Sequence, residues 1–143
     1  MRYMKLKTGI CAIIGTAGSV VAALFGGWDA ALKTLLIFMG IDFAMGLILA
    51  GVFRKSGKSE SGALESRAGW KGLCRKGVTL LFVLIGARLD VIIGTNYIRD
   101  AICIGFIANE LISIVENAGL MGVPLPAIVQ KAIDILTDKA EGE

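Results

Sequence analysis

Residues 101–126, AICIGFIANELISIVENAGLMGVPLP, decide the fold. The stretch opens as an apolar helix long enough to lie deep in a bilayer. It then carries Asn109, Glu110, Ser113, Glu116 and Asn117 before a Gly/Pro break. Steps of three and four place these polar groups along one side of a helix. Hydrocarbon cannot satisfy such a stripe, so it must face protein or water. The rest of the chain reads as what allows that helix to sit in a membrane.

Composition points the same way. Of 143 residues, 55% are hydrophobic and 19% charged, and only two are proline. Mean hydropathy is +0.74. A soluble domain averages about 45–50% apolar and about a quarter charged. Here the excess falls in long charge-poor runs, the pattern of an integral membrane protein rather than a soluble bundle. The chain reads as a single membrane domain over 1–143. There is no histidine, which excludes His-based catalysis and His metal ligation. Cys11, Cys74 and Cys103 are an odd, widely spaced set with no C-x-x-C, so they imply a reduced setting and no structural disulfide.

Outward from the opening stretch, the chain divides into helices and one basic connection. The N-terminus is basic, with Arg2, Lys5 and Lys7, and a first membrane helix is expected over 9–27. A basic start before an apolar run also resembles a signal peptide, but this run continues past the length of such a core. Ala12, Thr16, Ser19, Ala23 and Gly26 form a small-residue stripe, which permits close helix packing within the chain or between subunits. Trp28 marks a turn at the interface. A second helix follows over 30–53, with Asp42 near its middle and Gly46 and Ala50 continuing the same face. A central Asp costs about 2.5–3.5 kcal/mol to insert, so it must face the bundle interior or an aqueous cavity.

Residues 54–77 form the one long polar connection. Seven basic residues face two acidic ones over 54–76, a net +5. Such an excess marks the cytoplasmic side of a membrane, and the basic N-terminus belongs there too. With one aromatic, Trp70, the run is a poor nucleic-acid site. Its second half has the makings of a basic interfacial helix. A third helix is expected over 78–94, broken by Arg88 and Asp90. At i, i+2 these two do not face each other, so Asp42 and Glu110 are the natural partners for Arg88. The fourth helix spans 100–117, and three or four crossings are compatible with the pattern. After Pro124 and Pro126, residues 126–139 form an amphipathic helix, placed on the membrane surface or against a neighbouring subunit. Residues 138–143 are a short charged tail. The expected fold class is an all-α integral membrane protein, with about four embedded helices and a C-terminal amphipathic helix.

No phosphate loop, metal-ligand cluster or nucleophile–base pair with a histidine occurs in the sequence. Asp42, Asp90 and Glu110 could form an acid–base pair, but intramembrane carboxylates are more often structural partners, pore lining or proton sites, so neither an enzyme nor a bound cofactor or metal is expected. Several pieces do form a recognisable series. Asp42-Phe-Ala-Met-Gly46 with Ala50 looks like the Asp-x-x-x-Gly signature of the toxin secretion/phage lysis holins, the phage holin family 4 type. Ser66-Arg-Ala-Gly69-Trp-Lys-Gly72-Leu-Cys-Arg75-Lys76 resembles that family's basic loop, and Leu89-Asp90 its following Leu-Asp. Asn109-Glu110-x-x-Ser113-Ile-x-Glu116-Asn117, then Gly122-Val-Pro124-x-Pro126, is the closest match. The resemblance runs from about residue 30 to residue 136. It implies a small multi-pass protein of the bacterial cytoplasmic membrane that self-associates and opens a lesion. An endolysin, or a large toxin, then leaves the cytoplasm, without necessarily touching the protein. Asp42, Arg88, Asp90, Asn109, Glu110, Ser113, Glu116 and Asn117 would be its pore or oligomer positions. A small channel or transporter, and a non-pore protein such as an antiholin, are the alternatives.

Overall fold

A computed structural model describes residues 1–141. Among them there are helices and connections but no strand. The helices are α1 (Arg2–Leu24), α2 (Ala30–Ile48), α3 (Ser66–Ile93), α4 (Ile98–Leu120) and α5 (Ala127–Glu141), with a π-helical turn, Leu49–Phe53, extending α2. Gly142 and Glu143 of the charged tail lie outside the described residues. Two helices, Arg2–Leu24 and Ala30–Phe53, are long and apolar enough to cross a membrane.

Local chemistry sets the boundaries. Gly26 and Gly27 take positive φ values of 80° and 107°, which an L-side chain avoids, and turn the chain out of α1. Asp29 then caps α2, its carboxylate accepting from the Leu32 N–H at 3.0 Å. Helix α3 stops at Gly94, which adopts the left-handed conformation at φ 78°.

Helix α3 is longer than the apolar run on which it was expected. It begins at Ser66, so the second half of the basic stretch 54–77, expected as a separate interfacial helix, is continuous with the apolar run. Gly69, Gly72 and Gly77 disfavour a helix, each by about 1 kcal/mol relative to alanine, which hides this start. Packing of the same continuous helix against its neighbours outweighs that local preference.

Helices α2 and α4 run parallel and α3 runs antiparallel to both. Asp29 meets Arg99 at one end of the α2–α4 pair, and Asp42 meets Ser113 and Asn117 further along. Between these polar contacts lies the core: Leu32, Leu35 and Met39 of α2, Val83 of α3, and Cys103 and Ile107 of α4. Gly86 is the close crossing of α3 and α4. A Cβ there would stand 2.7 Å from Ile102 Cδ1 and 3.1 Å from Arg99 Cα. Helix α5 packs on α4, burying Ile133 and laying Leu136 against the core. Its Ile128 and Ile135 remain exposed.

Helix α1 is different. It buries no residue and touches the rest chiefly at α3. Ala12, Thr16, Ser19, Ala23 and Gly26 are all exposed, and the Thr16 and Ser19 hydroxyls donate to Ala12 O and Gly15 O of their own helix. Of the stripe, Gly26 packs within the chain, against Arg99 and Ala87.

Candidate functional site

Three helices deliver charge to one point. Lys76 Nζ of α3 donates to Asp42 Oδ2 of α2 at 2.8 Å and to Glu110 Oε2 of α4 at 2.6 Å. The other Asp42 oxygen, Oδ1, accepts from Ser113 Oγ at 2.6 Å and Asn117 Nδ2 at 3.1 Å. The side chains are 14%, 6% and 8% exposed for Lys76, Asp42 and Glu110, so the cluster is nearly dry. Two carboxylates share one ammonium, which leaves a formal −1. Hydrogen bonds carry the rest of the compensation. No buried side-chain nitrogen or oxygen among the described residues lacks a partner. That completeness is what makes buried charge tolerable.

The expected partner for Asp42 and Glu110 was Arg88, and the structure replaces it with Lys76. Arg88 is exposed on α3. Lys76, Val83 and Asp90 recur every seven residues on one face of α3, and that face turns inward. This spacing is the signal that would have found Lys76, had α3 been extended backwards through its glycines.

Asp90 does something else. Its carboxylate accepts from Thr95 Oγ1 at 2.6 Å, the Ile98 N–H at 3.0 Å and the Arg99 N–H at 2.9 Å. It therefore caps the next helix, α4, across the turn. Arg99, also unanticipated, binds the turn before α2. Its guanidinium holds both Asp29 oxygens, at 2.6 Å and 3.0 Å, and the carbonyls of Phe25 and Gly27. The Arg99 hydrogen bond holds the Asp29 carboxyl below its usual pKa, against a smaller upward push from burial. Gly26 lies against this arginine, since a Cβ there would stand 3.2 Å from Arg99 Cδ.

The predicted stripe on α4 splits. Glu110, Ser113 and Asn117 join the charge cluster, while Asn109 and Glu116 are exposed. Asn109 and Glu116, with Glu110 and Ser113, line a cleft of about 730 Å³ between α2, α3, α4 and the connection before α3. Gly46 and Ala50 line its α2 wall, and Asp42, Lys76 and Glu110 lie within it. The cleft opens among the basic residues Lys58, Lys71 and Arg75. No group of three or more Cys, Asp or Glu among the described residues is placed to hold a metal ion.

Helices throughout the described residues, two of them apolar and of membrane-crossing length, fit a small membrane protein. The chain belongs to the bacteriophage holin family, whose model matches residues 19–138. A probable holin of Bacillus phage phi105 is 31% identical over 73% of each chain. An uncharacterized Listeria innocua protein is 37% identical over 96% of this chain and 91% of its own. An uncharacterized 14.9 kDa Clostridium perfringens protein is 35% identical over 94% of each. No solved structure matches. Family membership and the apolar helices agree on a membrane protein.

Two outcomes test the geometry. Lys76→Met leaves two carboxylates buried without their cation and should cost roughly 3–5 kcal/mol. Adding Asp42→Asn and Glu110→Gln should recover most of it, measured as unfolding in detergent. If Lys76→Met unfolds like the parent, the cluster is not a structural bridge. The second concerns Asp29. Its pKa is lowered on folding, so its contribution is present above the unfolded value and lost as pH falls through the folded one. The stability gap between parent and Asp29→Asn should hold steady from about pH 7 to 5 and close below about pH 4. A gap that does not depend on pH would contradict the Arg99 contact.

Proposed function

We propose that the chain is a holin of the bacterial cytoplasmic membrane. It accumulates there, self-associates and opens a lesion through which an endolysin, or a large toxin, reaches the cell wall or the exterior. The observation that carries this reading is the Asp42–Lys76–Glu110 cluster beside an open cleft. One chain satisfies its buried charges but leaves one side of them bordering a polar opening, which several chains could enclose as a shared interior. The name of the phi105 relative supports the same role.

In this reading α1 to α4 are membrane-embedded, with the N-terminus and residues 54–77 on the cytoplasmic side. Helix α3, at 28 residues, is about 42 Å long, more than the roughly 30 Å hydrocarbon core. Its basic first turns then reach the cytoplasmic headgroups. Asp42 and Glu110 each lie about 18 Å from the start of their helix, at the same depth in the bilayer. Lys76 reaches toward them from the cytoplasmic side. The exposed Gln130, Lys131, Asp134 and Asp138 of α5 form a second polar wall on the flank of α4. Lipid would not satisfy that wall, and contact between subunits or shared water would. The unburied face of α1 is available for association, with Ala12, Thr16, Ser19 and Ala23 allowing close approach.

The test is co-expression in a bacterium with a cytoplasmic cell-wall hydrolase that lacks an export signal. Abrupt, hydrolase-dependent lysis after a delay is expected, with release of a cytosolic enzyme. Glu110→Gln keeps Lys76 paired with Asp42, so insertion should persist while lysis is delayed or lost. Normal timing at equal membrane levels would remove Glu110 from the mechanism. Membrane accumulation without any lysis would favour an antiholin or anchor, and loss of membrane potential alone would favour a small channel.

A further inference from the structure

The cleft is not filled by the chain's own side chains. Gly46 of α2 and Gly69 and Gly72 of α3 line it, and a Cβ built on any of the three meets nothing within 4 Å. Beside the charge cluster, three cations reach its edge: Lys58 from the connection, and Lys71 and Arg75 one helical turn apart on α3. The ion pairs found among the described residues use Lys76 and Arg99, so none of these three cations is paired. Two carboxylates share the edge with them. Glu65 accepts from Ser61 Oγ at 2.8 Å, and Glu116 is exposed on α4. The two negative charges within the cleft, Asp42 and Glu110, already hold Lys76. The edge thus carries three cations against two carboxylates, a surplus of one that the formal −1 of the charge cluster offsets over the whole lining, and the further positive charge comes from Arg54, Lys55 and Arg67, which flank it in sequence. Phe43, Leu47 and Ile112 add an apolar wall.

We propose that this cleft binds one anionic phospholipid. Its phosphodiester would lie at Lys58, Lys71 and Arg75, and an acyl chain would follow the apolar wall across the glycine surface. The two halves of the site argue together. A soluble anion would have no use for the apolar wall, and a neutral lipid none for the unpaired cations. Basic pockets between embedded helices on the cytoplasmic side suit anionic headgroups. Trp70, 67% exposed on the same turns of α3, fits that level, where tryptophan concentrates. The site rests on the membrane placement of α3 and α4 given under the proposed function. Occupancy would hold the basic end of α3 at the headgroups and cover the side of the charge cluster that borders the cleft in the single chain.

The test uses the full chain purified from bacterial membranes and exchanged into phosphatidylcholine nanodiscs containing some phosphatidylglycerol. Native mass spectrometry then reads the lipids retained per chain. The parent should keep one phosphatidylglycerol in preference to phosphatidylcholine. Lys71→Gln/Arg75→Gln should weaken that retention about tenfold. Gly72→Leu, which fills the cleft without changing charge, should do the same. Lys5→Gln/Lys7→Gln removes as much charge elsewhere and should leave retention unchanged. Equal retention in all variants would overturn the site in favour of general surface attraction. Displacement by millimolar inorganic phosphate would overturn it in favour of a free-anion site. A chain dimer in the parent that Gly72→Leu abolishes would overturn it in favour of a second copy in the cleft. Carbonate extraction of host membranes scores insertion separately. A parent that washes out contradicts the membrane placement, whereas one that stays but shows no lipid preference contradicts the lipid site alone.

Discussion

A single ammonium held between two carboxylates sets the arrangement of this protein. Lys76 cannot reach Asp42 and Glu110 unless α2, α3 and α4 meet at one level. Each of the three charges is expensive to bury alone, by several kcal/mol even after the protein relaxes. Together, with Ser113 and Asn117 donating to the second oxygen of Asp42, they are satisfied. The penalty for separating them holds the helices in register. In the membrane placement proposed above, apolar packing is less able to do so, because lipid competes with it on nearly equal terms.

The opposite end of the bundle repeats the device in a different form. Arg99 grips the turn between α1 and α2, while Asp90 of α3 caps the helix that carries Arg99. Two polar fastenings therefore bracket the apolar core of Leu32, Leu35, Met39, Val83, Cys103 and Ile107. The two differ in what they offer. The Arg99 end is saturated with partners from its own chain. The Lys76 end borders an open cleft, and it is the one through which a partner molecule could alter the bundle. Helix α1 stands outside this scheme. It buries nothing, and most of it precedes the region matched by the family, which begins at residue 19.

Much of this was legible from residue pattern. The apolar runs announced helices, and Asp42, Glu110, Ser113 and Asn117 stood out as groups that lipid could not satisfy. The holin resemblance drawn from those motifs agrees with the family match. What stayed hidden was pairing. Lys76 sits in a glycine-rich, basic run that reads as a connection, and only the packed helix reveals that it shares a face with Val83 and Asp90. Arg88 lies closer in sequence to the apolar centre of α3, yet it points outward. Asp90, grouped in the sequence with the pore or oligomer positions, binds the Thr95 hydroxyl and caps backbone N–H groups eight and nine residues on. Such a cap depends on the path of the turn at Gly94, which no hydropathy pattern records. Asn109 and Glu116 belong to the same stripe as Glu110 but stay exposed, and they line the cleft together with Glu110 and Ser113.

Whether Lys76 bridges both carboxylates in a bilayer is open to direct measurement. The most direct measurement is solid-state NMR on the protein in lipid, with ¹⁵N on the lysine side chains and ¹³C on the Asp and Glu carboxyls. Recoupling should show one lysine ammonium close to one Asp and one Glu carboxyl, and Lys76→Met should abolish both contacts. A Lys76 ammonium coupled to only one carboxyl, or to neither, would contradict the account.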